Sequence, residues 1–150
     1  MQSVIAMVTD FLCPRPPLIE FAVPGEAVPF ARAGSRGKRR YTLERQADYM
    51  QLVKHCAWLA MDGRPPLDGP IAMSVLAEFL HPKSWSRKKQ ETTYWKETKS
   101  DTSNIIKILE DAMNSIVFND DAQISLLAAQ KTYASIARTT VKIWSLNRDD

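Results

Sequence analysis

The sequence contains little cysteine and histidine. Its 150 residues include 2 Cys and 2 His, and so few thiols suit a reducing compartment. Cys13 and Cys56 have neither a C-x-x-C spacing nor enough histidine around them for a zinc site, so both are predicted to be inert thiols. His55 and His81 have no partner at ligand spacing and are predicted to be structural.

Long hydrophobic runs are also missing. No segment approaches the roughly 20 apolar residues that a membrane-spanning helix needs. Residues 1–13 are mildly apolar but lack the charged leader of a signal peptide, because Asp10 interrupts them and no Lys or Arg comes first. We therefore expect a cytoplasmic protein that does not enter a membrane.

The rest of the composition is that of one ordinary domain. Hydrophobic residues make up 45% of the chain and charged residues 25%, and a chain of this length can bury a core without staples. Pro14, Pro16 and Pro17 restrict the backbone near the start. This predicts an irregular extension over residues 1–17 and a single domain over residues 18–150.

Alternating hydrophobic residues predict four strands in that domain. The predicted strands cover residues 18–23, 71–80, 124–133 and 138–146, and the last two read as adjacent strands at the C-terminus.

Helical spacing of apolar residues predicts two helices. The first runs from a cap at Thr42 to Met61 and follows residues 31–40, whose glycines and lack of apolar periodicity predict a flexible loop. The second begins at a cap, Thr102 or Ser103, and has opposite apolar and polar faces. Its apolar face comprises Ile105, Ile108, Leu109, Ala112 and Ile116, and its polar face comprises Asn104, Lys107, Asp111 and Asn114. The predicted fold class is therefore α+β, with a small mixed sheet of about four strands and two packed helices.

Charge is distributed unevenly along the chain, although the net charge is only +3. One basic group comprises Arg32, Arg36, Lys38, Arg39 and Arg40, and a second comprises Lys83, Arg87, Lys88 and Lys89. Acids predominate from Asp101 to Asp121. Basic segments beside an acidic one are suited to draw a polyanion toward carboxylates that would otherwise repel it.

The acidic segment has two interpretations from its residues alone. Clustered carboxylates repel one another unless a cation compensates them, which favours a Mg²⁺ site. Alternatively, Asp101 favours the N-terminus of the second helix and Asp120 and Asp121 form a turn. Lys107 and Asp111 are then a solvated pair. The ends of the helix lie about 20 Å apart at 1.5 Å per residue, so a shared metal site requires the chain to fold back alongside it.

Residues 99–124 resemble the signature of the RusA family of Holliday junction resolvases. The runs K-S-D-T-S-N-I-I-K, D-A-M-N and D-D-A-Q-I follow the family patterns K-x-D-x-D-N-(L/I)-x-K, D-A-(L/M)-N and D-D-x-Q-(I/V). The run V-P-F-A-R at residues 28–32 is similar more loosely. The resemblance implies a RusA-like fold in a bacterial or phage-encoded Mg²⁺-dependent endonuclease, with Mn²⁺ as an alternative ion. It also implies a homodimer that makes paired nicks in four-way DNA junctions during recombination and repair.

The resemblance also implies roles for individual residues. Asp101 and Asp121 correspond to the first and last metal-binding aspartates, and Lys107 to the catalytic lysine. Asp111 and Asn104 occupy motif positions with supporting roles.

One position departs from the family pattern. Ser103 stands where the family has its second aspartate, so one negative charge is missing from the implied metal site. The site would then depend on Asp101 and Asp121, with Asp120 or Glu110 and with weak coordination by the Ser103 hydroxyl.

The basic residues of both groups, together with Lys99, are the implied DNA-binding residues. Trp85, Tyr94 and Trp95 either stack on unpaired bases or pack within the protein. Two other functions remain open beside the nuclease. One is a non-catalytic branched-DNA-binding protein whose metal site is weakened at Ser103, and the other is a small basic protein-interaction domain.

Overall fold

The computed structural model describes residues 15–31 and 36–147, and for residues 36–42 the course of the backbone alone. Four strands and three helices are found in these ranges, together with one short 3-10 turn. They are β1 (Ile19–Pro24), α1 (Arg36–Met61), β2 (Ile71–Phe79), α2 (Arg87–Thr92), α3 (Thr102–Met113), the turn (Asp121–Gln123), β3 (Ile124–Tyr133) and β4 (Arg138–Ser145).

The strands form one mixed sheet in the order β1-β4-β2-β3. β4 pairs antiparallel with both β1 and β2, whereas β2 and β3 are parallel. Parallel pairing requires the chain to cross over between the two strands, and α2 and α3 lie in that connection. The predicted α+β class and mixed sheet are confirmed, but β3 and β4 are not neighbours in the sheet, because β2 lies between them.

One hydrophobic core joins the sheet to α1 and α3. Alternate residues of β2, including Met73, Val75 and Ala77, are buried in it. The buried residues of α3 are Ile105, Ile106, Ile108, Leu109, Ala112 and Met113. This confirms the predicted apolar face except at Ile116, which follows the end of the helix.

The first helix begins earlier than predicted. Because α1 starts at Arg36, the backbone of residues 36–40 is helical. The loop prediction was therefore wrong for residues 36–40, and so was the cap at Thr42. Arginine and lysine are good helix formers even without apolar periodicity. Arg32 lies outside the described residues.

The polar segment before α3 contains a helix that was not predicted. α2 begins at Arg87 and is capped by Ser86, whose side chain accepts a hydrogen bond from the Lys89 N–H at 3.2 Å. The helix has only six residues and buries none of them, so it leaves no periodic signal in the sequence. The described ranges therefore contain three helices where two were predicted.

The second predicted helix also differs at both ends. Its cap is Asp101 and not Thr102 or Ser103, although the Asp101 side chain makes no capping hydrogen bond. The helix ends at Met113, and Ser115 then adopts a φ of 70°, in the left-handed region.

The predicted extension over residues 1–17 lies mostly outside the described residues. Arg15 is described, and its carbonyl accepts a 2.8 Å hydrogen bond from the Trp144 indole. No helix in the part of the chain that the structure describes is long and apolar enough to span a membrane.

Candidate catalytic face of helix α3

Four polar residues lie along one side of α3. Asp101, Asn104, Lys107 and Asp111 follow one another at intervals of three or four residues, which places them on one face of a helix. The opposite side of the helix is held in the core. This polar face is therefore fixed in orientation by the packing of the apolar one.

A cleft of about 640 Å³ lies at the N-terminal end of this face, lined by Phe30, Asp101, Asn104 and Lys107 among others. The Phe30 N–H donates to the Asn104 carbonyl at 3.0 Å. The Lys107 Nζ lies 4.9 Å from the centre of the Phe30 ring. The segment after β1, which carries the looser part of the family resemblance, thus forms one wall of the cleft.

Lys131 fixes the segment that leads into Asp101. Its Nζ, on β3, donates to the carbonyls of Thr98 and Ser100, each at 2.7 Å. Burial lowers the pKa of Lys131, as does the positive charge of Lys96, whereas the Asp101 carboxylate raises it. Sequence reasoning did not identify Lys131. The signal was its place in the alternating pattern of β3, where it shares the core-facing side of the strand with Ala129 and Tyr133.

The other end of the polar face meets the turn before β3. Asp120 caps this turn, since its Oδ1 accepts from the Ala122 N–H at 2.9 Å. The Gln123 Oε1 accepts from the N–H groups of Asn119 and Asp120 at 2.9 and 3.0 Å. The Gln123 Nε2 donates to the carbonyls of Leu67 and Gly69 at 2.8 and 2.9 Å. The glutamine of the D-D-x-Q motif therefore holds the turn to the chain before β2.

Carboxylates crowd at this end of the face. A hydrogen bond with Asp120 raises the pKa of Asp121, as do burial and the negative charges of Asp120 and Asp111. Burial raises the pKa of Glu110, and the charges of Asp121 and Asp111 add to the effect. Lys107 opposes both increases. The negative charge around Asp121 is thus only partly compensated within the chain.

The predicted metal ligands fall into two groups. Asp101 lies in the cleft, with Ser103 exposed in the first turn of α3. Asp121 lies at the other end, near Asp111, which is about 15 Å further along the helix than Asp101 at 1.5 Å per residue. Within residues 15–31 and 36–147, no three His, Cys, Asp or Glu side chains are grouped as a metal site. The donor chemistry nevertheless fits a divalent cation, since carboxylate oxygens are hard ligands and the charge around Asp121 is in excess.

The second basic group is described in full. Lys83, Arg87, Lys88, Lys89 and Lys99 are all exposed. Arg87 pairs with Glu91 at 3.0 Å, and the Lys89 Nζ lies 4.3 Å from the Trp85 ring. The side chains of Arg36, Lys38, Arg39 and Arg40 lie outside the described residues.

The aromatic residues of this region differ in their surroundings. Trp85 is half-buried and packs against His81 and Tyr133, with ring centroids 5.9 and 5.1 Å apart. The His81 Nε2 also lies 3.1 Å from the Thr93 carbonyl, as expected for a structural histidine. Tyr94 and Trp95 are 38% and 53% exposed, so their rings are accessible to a ligand.

Carboxylates and a lysine on one helix face, beside exposed basic residues, are the groups of a protein that acts on nucleic acid. The family model described as "Endodeoxyribonuclease RusA" matches residues 24–144. The chain belongs to this family, which is one of Holliday junction resolvases. It is also similar to "Uncharacterized protein YqaN" of Bacillus subtilis (strain 168), with 30% identity over 134 residues that cover 83% of this chain and 94% of the relative. The predicted family membership is confirmed.

Proposed function

We propose that this protein is a Mg²⁺-dependent endonuclease that resolves four-way DNA junctions by paired nicks in recombination and repair. The observation that carries the proposal is the polar face of α3. The motif residues Asp101, Asn104, Lys107 and Asp111 share that face, and the charges of Lys107 and Asp111 act on Asp121.

The carboxylates are the proposed metal ligands. Asp121 and Asp120 would hold Mg²⁺ or Mn²⁺ at one end of the face, and Asp101 with the Ser103 hydroxyl would supply oxygen donors at the other end. The bound ion supplies Lewis acidity toward the phosphate and lowers the pKa of water.

Lys107 is the proposed catalytic cation. It is exposed on the polar face, lines the cleft with Asp101, and interacts with the charge of Asp121. A phosphate in the cleft would therefore meet its ammonium, which stabilises the negative charge that builds on the phosphate oxygens in the transition state. The Phe30 ring limits the positions that the lysine side chain adopts.

Binding of the DNA is assigned to the basic groups. The exposed residues Lys83, Arg87, Lys88, Lys89 and Lys99 would contact phosphates, as would Arg32 and the cations of residues 36–40. We further propose a homodimer, because a protein with two-fold symmetry can present two active sites to a junction of matching symmetry.

A non-catalytic branched-DNA-binding protein is the second candidate. It is favoured by Ser103, which provides a neutral hydroxyl where the family has a carboxylate. A metal site with one charge fewer binds a divalent cation more weakly. This candidate shares the binding surface with the first and differs from it only in the chemistry.

A labelled four-way junction tests the proposal directly. The wild-type protein and the Asp101→Asn variant are incubated with it, with and without Mg²⁺, beside a linear duplex of the same sequence. We expect nicking by the wild type with Mg²⁺ only, and no nicking by the variant, although it still binds the junction.

Four outcomes would contradict this expectation. Metal-independent cutting, or equal cutting by both proteins, removes the role of Asp101. Binding without cutting by the wild type favours the second candidate. Equal binding of the junction and the linear duplex removes the substrate that we propose.

A further inference from the structure

A second cleft, of about 360 Å³, lies beside the candidate catalytic face. Lys83, Lys96, Thr98 and Tyr133 line it. Thr98 belongs to the short segment that continues through Ser100 into Asp101, and the Lys131 ammonium holds this segment by two of its carbonyls. The two clefts are therefore connected through one segment of fixed position.

Lys96 is held in place within this cleft. Its Nζ donates to the Thr98 Oγ1 at 2.7 Å and lies 5.1 Å and 5.5 Å from the ring centres of Phe79 and Tyr133. Both rings are buried, at 4% and 6% exposure, so they form a rigid floor under the ammonium. A lysine normally loses side-chain entropy when it binds a ligand. Because these contacts already restrict the Lys96 side chain, binding an anion costs it less entropy.

The positive charge in this region exceeds the negative charge. Lys96 and Lys131 are close enough for their charges to repel each other. Within the described residues neither forms an ion pair with a carboxylate, and Glu26 is the one acid that lines the second cleft beside two lysines. An ammonium has three N–H donors, and Lys96 uses one of them on Thr98. Donors thus remain for an anion.

We infer that Lys96, with Lys83, binds a phosphate group of the DNA strand next to the phosphate that lies in the Asp101 cleft. The inference depends on the proposed function, because it identifies the anion as a neighbouring phosphate of the same strand. Phosphates recur at every nucleotide, and the two clefts share the Thr98–Asp101 segment. A strand whose scissile phosphate reaches Lys107 therefore presents a flanking phosphate to Lys96. Neither Lys96 nor Lys131 belongs to the two basic groups of the sequence.

The test is the salt dependence of junction binding without divalent cations, so that no cutting occurs. Each phosphate contact contributes about 0.9 to the slope of log affinity against log salt. The wild-type affinity divided by that of Lys96→Gln should therefore fall about 3.5-fold between 50 and 200 mM salt. Lys96→Arg retains the charge and should restore the wild-type slope.

Lys142→Gln is the matched control. Lys142 is on the opposite face of the sheet from the core and is 37% exposed at its side chain, so its removal changes the net charge equally. Equal slopes for Lys96→Gln and the wild type, or equal losses in Lys96→Gln and Lys142→Gln, would overturn the inference.

A second measurement changes the DNA and compares the wild-type protein with Lys96→Gln. Methylphosphonates, which lack the phosphate charge, replace single phosphates on either side of the cut position in the junction. We expect one flanking position at which the methylphosphonate lowers the affinity of the wild-type protein. At the same position it should not lower the affinity of Lys96→Gln any further, because that variant already lacks the contact. Loss at no flanking position would overturn the inference. Failure of the proposed function is distinguished from failure of this inference by the wild-type protein alone. If the proposed function fails, the wild type shows no preference for junction over duplex DNA.

Discussion

The two ends of the polar face of α3 have opposite charge balance. At the Asp101 end, Lys107 lines the same cleft and the Lys131 ammonium lies close enough to interact with the carboxylate. At the Asp121 end, burial and the charges of Asp121 and Asp111 raise the pKa of Glu110, and Asp120 and Asp111 raise the pKa of Asp121, while Lys107 opposes both increases. The Asp121 end is therefore the cation end, with the larger excess of negative charge, whereas the Asp101 end also offers lysines to a phosphate.

The two ends are also held by different means. Lysine donates to main-chain carbonyls before Asp101, whereas the Gln123 amide makes four hydrogen bonds around the turn that carries Asp121. A cation that fixes the backbone adds positive charge beside the phosphate site. A neutral amide fixes the turn without reducing the negative charge that a metal ion needs.

The largest effect is expected from Asp121→Asn. The change removes the carboxylate at the cation end, and we expect nicking of a four-way junction to fall by about 10³-fold, since removal of one electrostatic group from an active site costs up to this amount. Junction affinity should be unchanged or slightly higher, because one negative charge is lost. Single-turnover nicking and equilibrium binding measure the two quantities.

Asp48→Asn is the control for this variant, because Asp48 is exposed on α1 and far from the polar face in sequence. If Asp121→Asn nicks at the same rate as Asp48→Asn, the cation end takes no part in catalysis. The difference between the two ends would then concern DNA binding alone.

Lys107→Met should have the next largest effect, because Lys107 interacts with both ends. We expect single-turnover nicking at saturating protein to fall by about 10² to 10³-fold. Junction affinity should weaken less, with a loss of about 1 in the salt slope if the lysine contacts a phosphate. A loss of affinity as large as the loss of rate would contradict a catalytic role and indicate binding only.

The sequence predicted those elements of the fold whose buried residues recur at regular spacing. The apolar residues of α3 recur because the helix buries one face, and they were identified. α2 buries no residue, and residues 36–40 extend α1 with basic helix formers, so hydrophobic spacing indicated neither. The position of β2 between β3 and β4 depends on a crossover connection, which periodicity does not reveal.

The candidate site was predictable to the extent that a motif specifies it. Helical spacing predicted Asn104, Lys107 and Asp111 on one helix face, and the motif added Asp101 and Asp121. Lys131 was not predicted because its partners are carbonyls more than 30 residues away in the chain. Gln123 stands in the motif, but its four hydrogen bonds join segments that meet only in the folded protein. Every residue has a main-chain carbonyl, so the residue type of the partner does not indicate that it accepts a hydrogen bond from a side chain.

Gln123→Ala tests how the cation end is held. The change leaves two main-chain N–H groups and two carbonyls without their partner, at a net cost of about 0.5 to 1.5 kcal/mol for each hydrogen bond. Some of these groups reach water, so we expect a loss of about 2 kcal/mol in the free energy of unfolding, measured with urea. Gln51→Ala, at an exposed position of α1, is the control. Equal stability of the two variants would show that the turn is not held by the Gln123 side chain.

The smallest effect is expected from Ser103→Asp, which restores the family's second aspartate. Ser103 is exposed in the first turn of α3, where an added carboxylate also stabilises the helix by about 0.3 to 1 kcal/mol through the macrodipole. The new charge increases the attraction of the Asp101 end for a cation and makes the two ends more alike. We therefore expect the Mg²⁺ concentration for half-maximal nicking to fall several-fold.

Ser103→Asn separates charge from size in the same experiment. Asparagine has nearly the shape of aspartate but is neutral, so it should leave the Mg²⁺ requirement as in the wild type. If the two variants behave alike, the Asp101 end takes no part in holding the cation, and the site lies at Asp121 alone. If the wild type binds junctions without cutting and Ser103→Asp cuts them, the missing carboxylate is what makes the natural chain a binding protein.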